Sequence, residues 1–223
     1  MTRELTVDRR APKSGKVGSA VVFLHGYGAN GADLMGLADP LGPHMPDTLF
    51  LSVDAPEPCL NNPMGFQWFP IPHMDGSDPQ VAGASFAQSA DDLNAFLDKM
   101  LEEEGLEHSQ VILLGFSQGT MMSLHVAPRR PAAFAGIVGF SGRLLQPERL
   151  AEEAVSKPPV MLLHGDADPV VPFDSMQEAA DALAAADFDV YTQTMANAPH
   201  TITPVGLQQA YVFMADVLKK AGG

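Results

Sequence analysis

The sequence contains one cysteine, Cys59, so no internal disulfide can form, and a reducing, cytoplasmic setting is the simplest expectation. Basic residues are scarce as well. Thirteen Lys and Arg stand against 27 Asp and Glu, a net charge of −14. A field of that sign repels phosphate backbones and anionic bilayers, which argues against nucleic-acid binding and electrostatic membrane docking. No apolar run approaches the ~20 residues of a membrane span, and Met1 to Arg10 lack the apolar stretch of a secretion signal. Stable membrane insertion is therefore not expected. Repeats and low-complexity tracts are missing. His164-Gly165-Asp166 has no His-x-x-His or Glu-x-x-His spacing beside it, so neither a metal nor another cofactor is expected.

What remains is an ordinary globular composition, 46% hydrophobic and 18% charged, at a length that suits one α/β domain. Residues 1–17 are charged, with Pro12 and Gly15, and read as an edge strand or a loose lead-in to a single domain over 18–223. Short apolar runs predict buried strands at Ser19–Leu24, Thr48–Val53, Val111–Leu114, Ala135–Phe140 and Pro159–His164, with a last strand at Val190–Met195. Helical spacing predicts helices around Asp33–Ala38, Phe86–Leu101, after Gly119, Pro172–Ala186 and Gly206–Leu218. Strand and helix alternate, which implies a mostly parallel sheet with helices on both faces and ligands bound beyond the carboxyl ends of the strands. Between Pro56 and Pro79, prolines and glycines are dense, and the aromatics Phe66, Trp68 and Phe69 sit among them. This long loop is expected to be structureless. Trp68 and Phe69 are expected to line part of a substrate cleft; the alternative is that they plug the loop onto the body.

The motif that organises the chain is Gly115-Phe116-Ser117-Gln118-Gly119, at the junction of a buried strand and a helix. A serine on so sharp a turn presents its hydroxyl away from the sheet, and the helix behind it aims free N–H groups at the same spot. Ser117 is therefore the candidate nucleophile. Ser141, in Gly139-Phe140-Ser141-Gly142-Arg143, is a decoy, because Pro147 follows too soon for a long helix to begin there.

A serine hydroxyl needs a base. His125 lies two helical turns from Ser117, about 12 Å away, too far for a hydrogen bond. His44, His73 and His108 fall in polar or proline-rich segments and read as solvated; His25 and His164 end strands and read as groups that stiffen loops. His200, on the loop after the last strand, can reach over the strand ends. For the acid, Asp166 and Asp168 both follow a buried strand. Asp166 is placed to tie loop backbone together, while Asp168 can reach outward, so both stay open on the residues alone. The oxyanion that forms on attack needs two donors, the N–H groups of Gln118 and of Tyr27 in the Gly26-Tyr27-Gly28 loop.

Taken together, Phe23-Leu24-His25-Gly26-Tyr27-Gly28, the elbow at 115–119 and His164-Gly165-Asp166-Ala167-Asp168-Pro169-Val170-Val171-Pro172 resemble the carboxylesterase, phospholipase and acyl-protein thioesterase family of α/β-hydrolases. The resemblance runs from about residue 18 to 220. It implies an α/β-hydrolase fold, Asp168 as the acid of a Ser117–Asp168–His200 triad, and no cofactor. The chain departs from the family at Gln67–Pro72, which is longer and richer in proline, and at Tyr27 and Ala29-Asn30; these positions bear on acyl-chain preference. No large insertion follows the strand at 135–140, so no lid is expected. The reading is a serine carboxylesterase acting on small-molecule esters with short to medium acyl chains. A lysophospholipase or acyl-protein thioesterase is the alternative within enzymes, and a non-catalytic ligand-binding homologue is the alternative outside them. The sequence leaves room for a homo-oligomer.

Overall fold

The computed structural model describes residues 2–221. Among the described residues seven strands form one sheet, in the order β1 (Val7–Arg10), β3 (Thr48–Val53), β2 (Ser19–Leu24), β6 (Val111–Phe116), β7 (Gly136–Phe140), β8 (Val160–Gly165) and β9 (Val190–Met195). Only β1 runs antiparallel, paired with β3 at the sheet's edge. The other neighbours are parallel.

Buried strands alternate their side chains between two cores, as a pleat of period two requires. In β6, Val111 and Leu113 face one core while Ile112 and Leu114 face the other. Helices α4 (Pro79–Glu104), α5 (Gln118–Val126), α6 (Pro147–Glu153) and α7 (Asp174–Ala185) supply Leu93, Leu97, Met122, Leu150 and Leu183 to the first core. The short helices α1 (Gly31–Met35) and α2 (Ala38–Leu41), with α8 (Pro204–Ala221), supply Leu34, Leu41, Leu207 and Met214 to the second. This is the α/β-hydrolase architecture. Because parallel strands all end at the same rim, the loops after β2, β6, β8 and β9 meet above it.

The stretch expected to be structureless is not. Residues Glu57–Cys59 (β4) and Asn62–Gln67 (β5) form an antiparallel hairpin, and Pro72–Asp75 forms a short helix, α3. The hairpin then extends the pairing to the loop after β2, where Gly28 N–H donates to Phe66 O at 2.8 Å and Phe66 N–H donates to Ala29 O at 2.7 Å. Helix α4 also begins earlier than its apolar stripe. Asp78 caps it through Gln80 N–H and Val81 N–H, and Pro79 occupies the first turn, where its missing N–H costs nothing. Residues 141–146 alone join β7 to α6, so nothing folds over the rim from there. Among the described residues no helix is long and apolar enough to cross a membrane.

Candidate active site

Ser117 sits between β6 and α5 with φ 53° and ψ −114°, a conformation that costs a non-glycine residue about 1–3 kcal/mol. Neighbouring contacts impose it. Ser117 N–H donates to Phe140 O at 2.8 Å on the adjacent strand end, and Met121 N–H donates to Ser117 O at 3.2 Å. The two flanking glycines are required by contact: a Cβ on Gly115 would lie 2.3 Å from Thr120 N, and one on Gly119 would lie 1.8 Å from Leu24 O. Strand and helix therefore meet closer than any side chain allows. Ser117 is 8% exposed.

Asp168 and His200 are brought together from loops 32 residues apart, with Asp168 Oδ2 2.7 Å from His200 Nδ1. The acid's side chain is fully buried and the imidazole is 16% exposed. Val170 N–H and Val171 N–H donate to Asp168 Oδ1 at 2.8 and 3.0 Å. Burial alone would raise this carboxyl's pKa, but the hydrogen bonds from His200, Val170 and Val171 outweigh it and hold the group below its ordinary range. An ionised carboxylate only accepts, so His200 Nδ1 carries the proton of this hydrogen bond. The ring packs on Phe116, the residue before Ser117, with centroids 4.8 Å apart. Among the described residues the Ser117 hydroxyl makes no hydrogen bond.

Asp166 does what its position in the loop suggested: it accepts from Asn197 N–H at 2.6 Å and so ties the acid loop to the loop that carries His200. The other histidines are occupied elsewhere. His25 is fully buried, donating from Nδ1 to Gly26 O at 2.7 Å and accepting Ala55 N–H on Nε2 at 2.9 Å; burial pushes its pKa down, so it stays a neutral brace under the loop after β2. His125 packs edge-on against Phe86, and burial followed by the Arg129 charge pushes its pKa down to about 4. His108 corrects an expectation, because it is half-buried on Phe134 beside Arg130 rather than free in solvent.

The N–H groups of Tyr27 and Gln118 make no hydrogen bond to protein among the described residues. The Tyr27 loop is nonetheless firmly held. Asn62 Nδ2 donates to Gly28 O at 2.7 Å, and the Tyr27 hydroxyl donates to Asp75 in α3 at 3.1 Å. Asp75 also accepts Ile71 N–H and Ser77 N–H, and burial followed by hydrogen bonding to its neighbours pushes the phenol pKa up. Cys59, expected to be only partly buried, is 3% exposed.

The expectation for Trp68 is corrected. Its side chain is fully buried in the core, so it offers no surface to a ligand. The reason is hydrogen bonding: its indole N–H donates to His25 O at 3.0 Å, its backbone N–H donates to Gln118 Oε1 at 3.0 Å, and its carbonyl accepts from Ser89 Oγ. Trp68 thus supports the site from beneath. Phe69 is half-buried, edge-on to Phe86, and its carbonyl accepts from Gln118 Nε2 at 2.6 Å. The Gln118 side chain, whose role sequence reading missed, therefore clamps the 68–69 segment to the elbow. Among the described residues no group of three or more His, Cys, Asp or Glu is placed to hold a metal.

A family model described as Phospholipase/Carboxylesterase matches residues 9–218. The esterase YpfH of Escherichia coli is 27% identical over 85% of this chain and 79% of its own length. Acyl-protein thioesterase 1 of Saccharomyces cerevisiae is 31% identical over 74% of this chain and 76% of its own. The crystal structure of esterase PE8 superposes with a TM-score of 0.91 at 37% identity, covering 96% of this chain and all of that one. With its model spanning nearly the whole sequence on an α/β-hydrolase fold, the chain belongs to the Phospholipase/Carboxylesterase family.

Proposed function

We propose that the chain is a cofactor-free serine esterase that cleaves small carboxylic esters with short to medium acyl chains through a covalent acyl-enzyme. The observation that carries this reading is the 2.7 Å Asp168–His200 hydrogen bond, made by a ring packed on the residue before a strained, flanked serine. In the proposed cycle the Ser117 hydroxyl turns toward His200 Nε2, a closure that substrate binding commonly completes. Nε2 takes the proton as Oγ attacks the ester carbonyl, and Asp168 stabilises the resulting imidazolium. The N–H groups of Tyr27 and Gln118 receive the oxyanion, each contributing about 3–4 kcal/mol to the transition state. Nε2 returns the proton to the departing alcohol. Water then attacks the acyl-enzyme with the same base, releasing the acid and free Ser117.

The short connection at 141–146, with no lid over the rim, supports small substrates in an open cleft. A thioester substrate is the second reading, favoured by the 31% identity to a protein named as an acyl-protein thioesterase. Both use one triad, so one experiment addresses them. Ser117→Ala should abolish hydrolysis of p-nitrophenyl acetate with the fold intact, and undiminished turnover in that variant would overthrow the proposal. Across p-nitrophenyl esters of increasing chain length and matching acyl thioesters, the proposal expects a maximum at short to medium oxygen esters; a maximum at long-chain thioesters would install the second reading.

A further inference from the structure

The acid loop holds a buried histidine that the catalytic cycle above does not use. His164, at the end of β8, is 1% exposed, and its Nε2 lies 3.3 Å from Asp168 Oδ2 and 3.0 Å from Val171 O. Val171 O can only accept, so Nε2 carries the proton and donates it there, while Asp168 Oδ2 stands against the same nitrogen in close contact. The ring is fixed edge-on against Phe173, with centroids 6.0 Å apart and planes at 84°. Val171 returns the contact, since its N–H donates to Asp168 Oδ1. His164, Val171 and Asp168 are thus linked in series within the acid loop. Oδ1 receives the two backbone N–H groups, and Oδ2 receives His200, with the His164 ring in contact at 3.3 Å.

We infer that His164 is a positioning residue for the general-base couple, holding the Asp168 carboxylate in the orientation that presents Oδ2 to His200. This inference rests on the triad proposed above. The backbone that holds Oδ1 is itself held by His164, through the Val171 carbonyl. Without that tie and the ring's contact with Oδ2 the carboxylate can shift, and an error of about 1 Å in a catalytic group is worth about 100-fold in rate. Position, more than polarity, is what His164 supplies. A glutamine places an amide N–H near the site of Nε2, whereas an asparagine, one methylene shorter, leaves it out of reach.

The test compares His164→Gln with His164→Asn, using p-nitrophenyl acetate turnover, thermal unfolding and the low-field proton resonance of the His200–Asp168 hydrogen bond. His164→Asn should lower kcat about 10- to 100-fold with KM changed no more than about twofold, and should broaden or erase the resonance. His164→Gln should recover kcat to within about fivefold of the parent and retain the resonance. Equal kcat in the two variants, whether both active or both impaired, would overturn the inference. Ser117→Ala is assayed alongside: activity there would remove the triad itself, a failure distinct from that of His164.

Discussion

Replacing Gly119 with alanine adds one methyl group where two backbones already touch. The new Cβ would stand 1.8 Å from Leu24 O, 2.4 Å from Leu24 C and 2.9 Å from His25 O, against a floor near 3.0 Å for real contacts. About 1.2 Å must be found, and no side chain can rotate to give it. Leu24 closes β2, held between β3 and β6, so the start of α5 must move outward instead. That start carries Ser117 and the Gln118 N–H, while the opposing Tyr27 N–H stays with β2. A misfit near 1 Å should cost about 100-fold in kcat/KM, equivalent to about 2.7 kcal/mol. Overpacking should cost about 1–3 kcal/mol of stability, a fall of about 2–10 °C in a chain of this size. Gly83→Ala is the control: it lies in α4 with nothing within 4 Å of the added Cβ, and should gain about 0.5–1 kcal/mol with activity unchanged. The assay is p-nitrophenyl acetate turnover with thermal unfolding of both variants. A Gly119→Ala protein with the parent's melting temperature and kcat/KM would refute the packing argument.

Asp168→Asn keeps the shape of the acid but offers His200 Nδ1 an amide instead of a charge, and should lower kcat about 10³- to 10⁴-fold with little change in KM, read by steady-state kinetics. Trp68→Phe removes the indole donor from His25 O inside the core and should cost about 1–3 kcal/mol in urea unfolding, with a modest fall in kcat; a pure KM effect would restore the cleft-lining role. Tyr27→Phe deletes the hydrogen bond to Asp75 at a half-exposed position and should cost at most about 1 kcal/mol. Its pH dependence has a definite sign. The Asp75 carboxyl is held below its ordinary value, with burial opposed and outweighed by hydrogen bonds from Ser77, Ile71 and Tyr27, so its contribution is full above the unfolded value near ~3.9 and is lost as pH falls through the folded one. The gap in melting temperature between parent and variant should therefore hold steady from pH ~5 to ~9 and close in acid; a gap that widened in acid would contradict this.

The elements buried on both faces were the legible ones. Val111–Leu114 and Val160–Leu163 are continuous apolar runs because both pleat faces meet a core, and no local alternative competes with that pattern. The elbow was legible because Gly-x-Ser-x-Gly at a strand-to-helix junction is a local pattern, even though Gly119 answers to Leu24 far along the chain. What escaped was set by partners far along the chain. The β4–β5 hairpin lies in a segment dense in proline and glycine, and its register is fixed by the loop after β2 instead of by its own pattern. Helix α4 was expected from its apolar stripe at Phe86, although Asp78-Pro79 carries the capping signal that marks its true start. Arg3 donates to Asp92 across 89 residues and ties the entering chain to α4, a contact that no spacing rule could have signalled. Trp68 was assigned to a cleft because aromatics in a loop need a purpose, and the carbonyl of His25 supplies a different one. His164 read as a loop brace, which it is through Val171; its contact with Asp168 became visible only once the loop was folded.

The most direct test of the account is where a fluorophosphonate probe attaches. Peptide mapping of the labelled protein should find one adduct per chain, on Ser117, with ester hydrolysis falling in proportion to labelling and with Ser141 unmodified. Label on Ser141, or hydrolysis that persists after Ser117 is fully modified, would contradict it.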